Sequence, residues 1–384
     1  MEKLINYIEI ISGGTPKTST PSYWNGNIPW LSVKDFSNVN RYVQSAEKSI
    51  TDLGVQNSAT NILKKNDIII SARGTVGRIA LIDSPMAFNQ SCFGLRSKSN
   101  QLDQLYLYYW LSVNVKQLQN QANGGVFDTI IRSSFENIYI TIPTIDVQHH
   151  IVDTIGSIDD LIEIKSFQIE KLWINIKLKY TKKFKYIHDL NGNNIVSLND
   201  VCIRFATGLN PRANFKLGKG SNFYVTIKNF ETGKLYLDEK CDMIDNDAIL
   251  KINKRSDLQK GDILYSGIGT IGRTYLIPET PKNWNISESI FAIRPSKIIS
   301  SEFLYLLLCD NDMQTYSKDN ASGSVQKGIR MADIKSYRFN LPSLETIEEF
   351  TGEVRPLFEL ILKIENEIKA INIVKQQYLK KFFG

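Results

Sequence analysis

Two pairs of segments in this 384-residue chain combine basic side chains with amides, hydroxyls, aromatics and glycine. Gly13-Gly-Thr-Pro-Lys-Thr-Ser-Thr-Pro-Ser-Tyr-Trp-Asn-Gly26 carries Lys17 and Tyr23, and its counterpart from Thr207 to Gly220 carries Arg212, Lys216 and Lys219. Asn120 to Arg132 ends on Arg132, and its counterpart, Val325-Gln-Lys-Gly-Ile-Arg330, supplies Lys327 and Arg330. Arg73 and Arg78 flank one glycine turn, and Arg273 follows the matching turn. Guanidinium and ammonium groups neutralise phosphate, while arginine and amide side chains can pair with base edges in the major groove. The chemistry suits contacts with DNA. An ordinary solvent loop with capping residues accounts for any single one of these positions equally well.

Catalytic constellations do not emerge from the sequence. Gly74-Thr-Val-Gly-Arg78 lacks the lysine and hydroxyl of a phosphate-binding G-x-x-x-x-G-K-[ST] loop, so a tight turn between strands is the expectation. There is no G-x-S-x-G, no H-E-x-x-H, no G-x-G-x-x-G opening a helix, and no Asn/Asp-Pro-Pro-aromatic tetrad of the kind that holds a flipped adenine. His149, His150 and His188 lie apart from Cys92, Cys202, Cys241 and Cys309 in sequence and have no evident acid or thiol cluster. Neither a catalytic site, a metal site nor a disulfide framework is therefore expected. The net charge of +6 permits a polyanionic partner without requiring one.

What must position those loops is written twice. Leu63 to Ile82 reappears as Leu258 to Ile277, so that Asp67, Ser71, Gly74, Thr75, Gly77 and Arg78 match Asp262, Ser266, Gly269, Thr270, Gly272 and Arg273. Phe93 and Arg96 face Phe291 and Arg294, Leu105-Tyr-Leu107 faces Leu304-Tyr-Leu306, and Tyr180-Thr-Lys-Lys-Phe184 faces Tyr378-Leu-Lys-Lys-Phe382. Asp67 to Ile70 and Asp262 to Tyr265 predict short buried strands, and 101–120 and 300–316 predict helices. Trp30 and Trp110 are expected in the core. Each copy is thus an α+β globular segment, with strand order left open.

After Pro143 and after Pro342 the apolar spacing becomes heptad-like and predicts two long helices. The first seam contains Ile151, Ile155, Ile158, Ile162, Lys165, Ile169, Leu172 and Ile176; the second contains Phe350, Val354, Leu357, Ile361, Ile364, Ile368, Ile371, Lys375, Tyr378 and Phe382. Gly156-Ser157 and Arg355-Pro356 predict a kink or break in each. The resulting division is 1–143 globular, 144–186 helical, 187–342 globular and 343–384 helical. No window approaches 18 uninterrupted apolar residues and the first residues lack a signal-peptide pattern, which leads to the expectation of a cytoplasmic protein without a membrane span.

Taken in order, Gly13-Gly-Thr-Pro16, Tyr23-Trp24, Ile28-Pro-Trp30, Gly74-Thr-Val-Gly77, Phe88-Asn-Gln90 and Ile142-Pro143 leading into Gln148 and Ile151 resemble the DNA-specificity subunits of type I restriction-modification enzymes. The resemblance covers essentially the whole chain. The second copy departs from it at Thr207-Gly208, Asn285-Ile-Ser287 and Ile347-Glu348.

The resemblance implies two tandem target-recognition domains, each reading one half of a bipartite sequence in double-stranded DNA. It further implies that the helical segments pair as an antiparallel coiled coil related by a pseudo-twofold repeat, hold the domains apart, and dock two methyltransferase subunits. Ile151, Ile158, Ile162, Ile169, Leu172, Leu357, Ile361, Ile364, Ile368 and Ile371 are the candidate partner-binding positions. Restriction-translocase subunits would join for cleavage, and S-adenosylmethionine, ATP and Mg would belong to the partners, with no cofactor on this chain. If the two domains read different half-sites, residues identical in both copies cannot carry the difference. Arg78/Arg273 and Thr75/Thr270 are then turn scaffold or phosphate contacts, whereas Lys17, Tyr23, Arg73 and Arg132, against Arg212, Lys216, Lys219 and Lys327, are the candidates for reading bases. The competing classes are a tandem-domain coiled-coil scaffold that binds proteins rather than DNA, and a self-sufficient methyltransferase, for which no cofactor loop is found.

Overall fold

The structure is a computed structural model that describes the chain except residues 37–40, 123–128 and 325, and the side chains of 121 and 122. It comprises two compact units, Met1–Gln168 with Asn366–Gly384, and Ile169–Glu365.

In the first unit, Ile68–Ser71 forms an antiparallel ladder with Cys92–Ser97 on one side and Ile79–Ile82 on the other, with Ile8–Ser12 added beyond Cys92–Ser97 and Tyr42–Val43 beyond Ile79–Ile82. The run of consecutive isoleucines is explained by burial on both faces, since successive strand residues point to opposite sides. Ile68 and Ile70 pack with Tyr106, Leu107 and Leu111 of helix α1 (Gln104–Ala122), whereas Ile69 packs with Leu31, Met86 and Phe88 of a second sheet. That sheet has the order Lys48–Ile50, Trp24–Leu31, Met86–Phe88, Ile62–Leu63. Trp30 and Trp110 are buried, as expected.

The second unit repeats the plan. Ile263–Ser266 lies between Ile290–Pro295 and Thr274–Leu276, with Cys202–Thr207 outside Ile290–Pro295. Ile263 and Tyr265 face the helical layer with Phe303 and Leu307, while Leu264 faces Val225, Phe230 and Ile286. The region expected to be one helix at 300–316 is two, because Asp310 adopts extended backbone and its carboxylate caps the next helix through Asp312 N.

Helix α2 runs from Ile145 to Lys183 and helix α3 from Leu344 to Phe383, so both heptad segments are helical throughout and the predicted breaks are absent. Pro356 lies inside α3, where it removes one amide donor without ending the helix. Gly156 sits in α2 without interrupting it.

In the first unit the helices are tied by Asp159–Lys375 and Lys165–Glu367, both 2.6 Å, and in the second by Lys179–Glu353 and Lys183–Glu349, both 2.5 Å. Residue numbers rise on one helix as they fall on the other, which is antiparallel pairing. The compact units divide these helices near residues 168 and 365. The expected boundaries at 143, 186 and 342 therefore mark where the chain enters or leaves helix, and each unit owns part of both helices.

Candidate nucleic-acid interface

The residues identical in the two copies build the turn. Ser71 Oγ accepts from Arg78 N at 2.8 Å and donates to Thr75 O, and Ser266 Oγ repeats this with Arg273 N at 2.8 Å and Thr270 O at 2.5 Å. Gly74, Gly77, Gly269 and Gly272 all have φ between 76° and 93°, a region that a side chain would strain. Arg273 Nη1 donates to the carbonyls of Ile227 (2.7 Å) and Phe230 (3.0 Å), so its charge braces a neighbouring loop. Asp67 and Asp262, both buried, are each held by an arginine across the sheet, Arg96 and Arg294.

This scaffold gathers the divergent loops at one end of each ladder. In the first unit, Ser12, Ser71 and Phe88 end their strands there and Cys92 begins one. Gly14 N donates to Phe88 O (2.9 Å), Ala72 N to Ser91 O (2.7 Å) and Ile130 N to Ala72 O (3.0 Å), lashing the four segments together. Lys17, Arg73 and Arg132 are exposed, and Arg132 is aimed by an Nη1 bond to Ile10 O at 3.0 Å. Tyr23 is half-buried and Arg78 partly so. Trp30 Nε1 donates to Gly14 O (3.0 Å) and Trp24 packs edge-on against Trp30, which fixes the loop bearing Lys17. Residues 123–128 of the Asn120–Arg132 segment lie outside the described residues.

The second unit lashes the same end in the same way. Gly208 N donates to Ser287 O (3.2 Å), Gly267 N to Ser289 O (2.9 Å) and Ile329 N to Gly267 O (2.8 Å). Arg212, Lys216, Lys219, Lys327 and Arg330 are exposed in these loops. Arg330 is partly committed, with Nε and Nη2 each 2.9 Å from the Asp333 carboxylate. The loops that carry the sequence-selected basic residues are thus tied by equivalent backbone bonds within each unit, and Arg273 is turned to scaffold.

Of the ten candidate partner positions, four are fully buried. Ile151, Ile162, Ile361 and Ile364 are buried within the chain, and Ile158, Ile169, Leu172, Leu357, Ile368 and Ile371 are partly so, because they form the seam and pack on the globular segments. The four buried positions are spent inside the chain, whereas the six half-buried ones keep part of their surface. The exposed apolar residues of α2 include Leu161, Ile164, Phe167, Ile174 and Leu178, and those of α3 include Leu360, Ile373 and Val374.

Two polar clusters escape a reading by sequence proximity. Arg41 reaches Glu163 (2.9 and 3.0 Å), Asp160 and the Tyr109 hydroxyl (3.3 Å), and Tyr109 in turn donates to Asp159 at 2.9 Å. Burial opposes the charge of Arg41, but bonds to Glu163 and Tyr109 outweigh it and raise the pKa further. His188, expected to have no acidic neighbours, has Nε2 3.2 Å from Asp310 and 3.3 Å from Asp312, with Nδ1 3.0 Å from the Tyr337 hydroxyl. These three side chains could span a metal ion by distance alone, although both acids sit at a helix N-terminus, which stabilises carboxylates without one. Burial pushes the Cys92 and Cys202 thiols up to about 12, away from the nucleophilic thiolate.

Comparison with known proteins places this architecture. The crystal structure of the type I restriction-modification S subunit from M. genitalium superposes with a TM-score of 0.57 at 17% identity, over 99% of this chain and 94% of that one, a likeness of fold. The MjaIX specificity subunit of Methanocaldococcus jannaschii is 24% identical over 406 residues, spanning all of this chain and 92% of that protein. The EcoR124I/EcoR124II specificity subunit of Escherichia coli is 30% identical over 185 residues, covering 46% of this chain and 44% of that one. The sequence profile of the type I restriction modification DNA specificity domain matches residues 3–172 and again 191–372, each match taking in one globular segment and the helix after it. The duplication first visible in the glycine turns is a duplication of that domain, and the chain belongs to the type I restriction modification DNA specificity family.

Proposed function

We propose that this chain is the non-catalytic, sequence-reading subunit of a type I restriction-modification enzyme. Each unit reads one half of a bipartite duplex target with the loops at the lashed end of its ladder. The helices dock two methyltransferase subunits, and restriction-translocase subunits join that assembly for cleavage. S-adenosylmethionine, ATP and Mg are bound by those partners, in the cytoplasm where the DNA is. The observation that carries the reading is the repetition: Lys17, Arg73 and Arg132 in one unit, and Arg212, Lys216, Lys219 and Lys327 in the other, occupy exposed loops held by equivalent backbone bonds. A protein-binding scaffold leaves this basic, amide-rich repetition unexplained. The exposed apolar residues of α2 and α3 support docking of a partner, since side chains such as Ile164 and Leu178 are otherwise costly in water.

Co-purification with a candidate methyltransferase subunit, followed by mapping of methylated adenines, tests the proposal. The complex is expected to methylate a split target and the pure chain to methylate nothing. Methylation by the rigorously pure chain, or a complex that methylates without sequence preference, would contradict it.

A further inference from the structure

The two units treat one equivalent place differently. Ile151, Ile155 and Ile162 of α2 and Phe350, Val354 and Ile361 of α3 are buried in the same spacing, which aligns Gly156, Asp159, Asp160 and Glu163 with Arg355, Phe358, Glu359 and Leu362. In the first unit this stretch surrounds the Arg41 guanidinium, held by Glu163 and Asp160 and lying 3.8 Å from the Cβ position of Gly156. In the second unit all four aligned residues line a cavity of about 550 Å³.

The absence of a filling side chain has a local cause. Arg41 reaches the helix from beside the outer ladder strand, its carbonyl accepting from Leu81 N at 2.8 Å. On the matching strand, Thr274–Leu276, the neighbouring segment turns at Gly233, whose N donates to Thr274 O at 2.8 Å. A Cβ on Gly233 would stand 3.4 Å from the Tyr305 hydroxyl and 3.7 Å from Trp173, so the backbone arrives at the cavity carrying no side chain.

The walls suit a guanidinium. Trp173, Tyr305 and Phe358 pack with ring centroids 5.2 to 5.7 Å apart and all line the cavity, offering aromatic surface on which a planar cation stacks. Arg355 at the rim is occupied by Glu302, at 2.7 and 3.2 Å. Of the other charged lining residues, Glu359 is the acidic one that the alignment of the two helices sets opposite a carboxylate of the first unit, and Lys260 lies on the globular side. Glu359 stands where Asp160 holds Arg41.

We propose that this cavity is the seat of an arginine side chain supplied by the docked methyltransferase subunit, doing in trans what Arg41 does within the first unit. The assignment rests on the proposed function above. It is favoured over a free small molecule because seven of the residues that line the cavity, Trp173 of α2 and six of α3 between Arg355 and Glu365, belong to the helices that would receive that subunit.

The test is the affinity of the cognate methyltransferase subunit for the full chain and two variants, with thermal melting to verify folding. Leu362→Glu installs the carboxylate that Glu163 provides in the first unit, and is expected to tighten the complex by about 5-fold. Glu359→Lys, at an exposed position, is expected to weaken it by 10-fold or more. N-acetyl-arginine amide at millimolar concentration should compete, and N-acetyl-leucine amide should not. An apolar occupant would give the opposite sign for Leu362→Glu and competition by the leucine amide, and would overturn the proposal. Affinity unchanged by Glu359→Lys would overturn it as well. If the unaltered chain formed no complex at all, the proposed function would fall, and this seat with it; normal assembly with unchanged variants removes the seat alone.

Discussion

The Arg294 guanidinium meets the Asp262 carboxylate through both Nε (2.6 Å) and Nη2 (2.9 Å), and the same Asp262 side chain accepts from Gln259 N at 2.9 Å. Arg96 and Asp67 repeat the arrangement in the first unit, with Lys64 N at 2.7 Å. Removing the aspartate leaves Arg294 with Asp257 and Arg96 with Glu9 as more exposed partners and forfeits the buried charge-assisted bonds, which costs about 1–3 kcal/mol. Asp262→Ala is expected to lose stability of that order in denaturant unfolding, and Asp67→Ala to do the same in its own unit. A loss below about 1 kcal/mol in both would show that these pairs are not what fixes the ladders.

Arg73 and Arg273 flank the same kind of turn in different roles. Arg73 is exposed, whereas Arg273 is spent on the carbonyls of Ile227 and Phe230. Arg73→Ala in the assembled complex is expected to weaken DNA binding by about 10-fold, as loss of a phosphate or base contact does, with the melting temperature within about a degree. Arg273→Ala should lower the melting temperature instead. Titrations at two salt concentrations check the first, because a lost phosphate contact reduces the salt slope by about one.

Acid should loosen the second unit at Asp310. Burial opposes ionisation of its carboxyl, but bonds from His188 and from the Asp312 and Asn311 amides outweigh it and hold the pKa below the ordinary carboxylate value. A carboxyl depressed in the folded state stabilises above its unfolded pKa of about 3.9, and that contribution disappears as pH falls through the folded value. Asp310→Asn keeps a capping oxygen but loses the charge. The variant should be less stable than the unaltered chain by about 2 kcal/mol at pH 5.5, the gap closing at pH 3. An equal gap at both pH values would refute the charge-based account.

The thiols offer a probe of burial. Cys92, Cys202 and Cys241 are buried and Cys309 nearly so, and burial raises the pKa of each. Alkylation by iodoacetamide at pH 8 should be at least 100-fold slower in the folded chain than in denaturant for all four. Rapid labelling of Cys92 would place the packing between the two sheets of the first unit in doubt.

Much of the fold was legible in the sequence because it depends on local pattern: the buried isoleucine strand, the glycines with positive φ and the heptad seam all follow from spacing. Gln148 is an instance where a motif residue acquires a physical reason, since its buried amide accepts from Asp103 N and donates to the Gln101 and Pro143 carbonyls, fastening α2 to its globular segment. Ile347 fills the aligned place by apolar burial, which explains why the second copy departs there. The sequence overstated the helix breaks, because a proline's lost amide bond and a half-buried glycine are tolerated in a helix anchored by tertiary packing. The Arg41 and His188 clusters were illegible because their members come from segments far apart in the chain, 122 residues between Arg41 and Glu163 and 149 between His188 and Tyr337. The seam follows from the heptad spacing, but four of the residues credited to partners, Ile151, Ile162, Ile361 and Ile364, are buried within the chain itself.

The central claim is that each unit reads its own half of the target. Replacing residues 1–143 by the equivalent segment of a relative, assembling the chimaera with methyltransferase, and mapping methylated adenines across a genome tests it directly. One half-site is expected to change and the other to remain base for base. A motif altered in both halves, or in neither, from a folded and active chimaera would contradict independent reading.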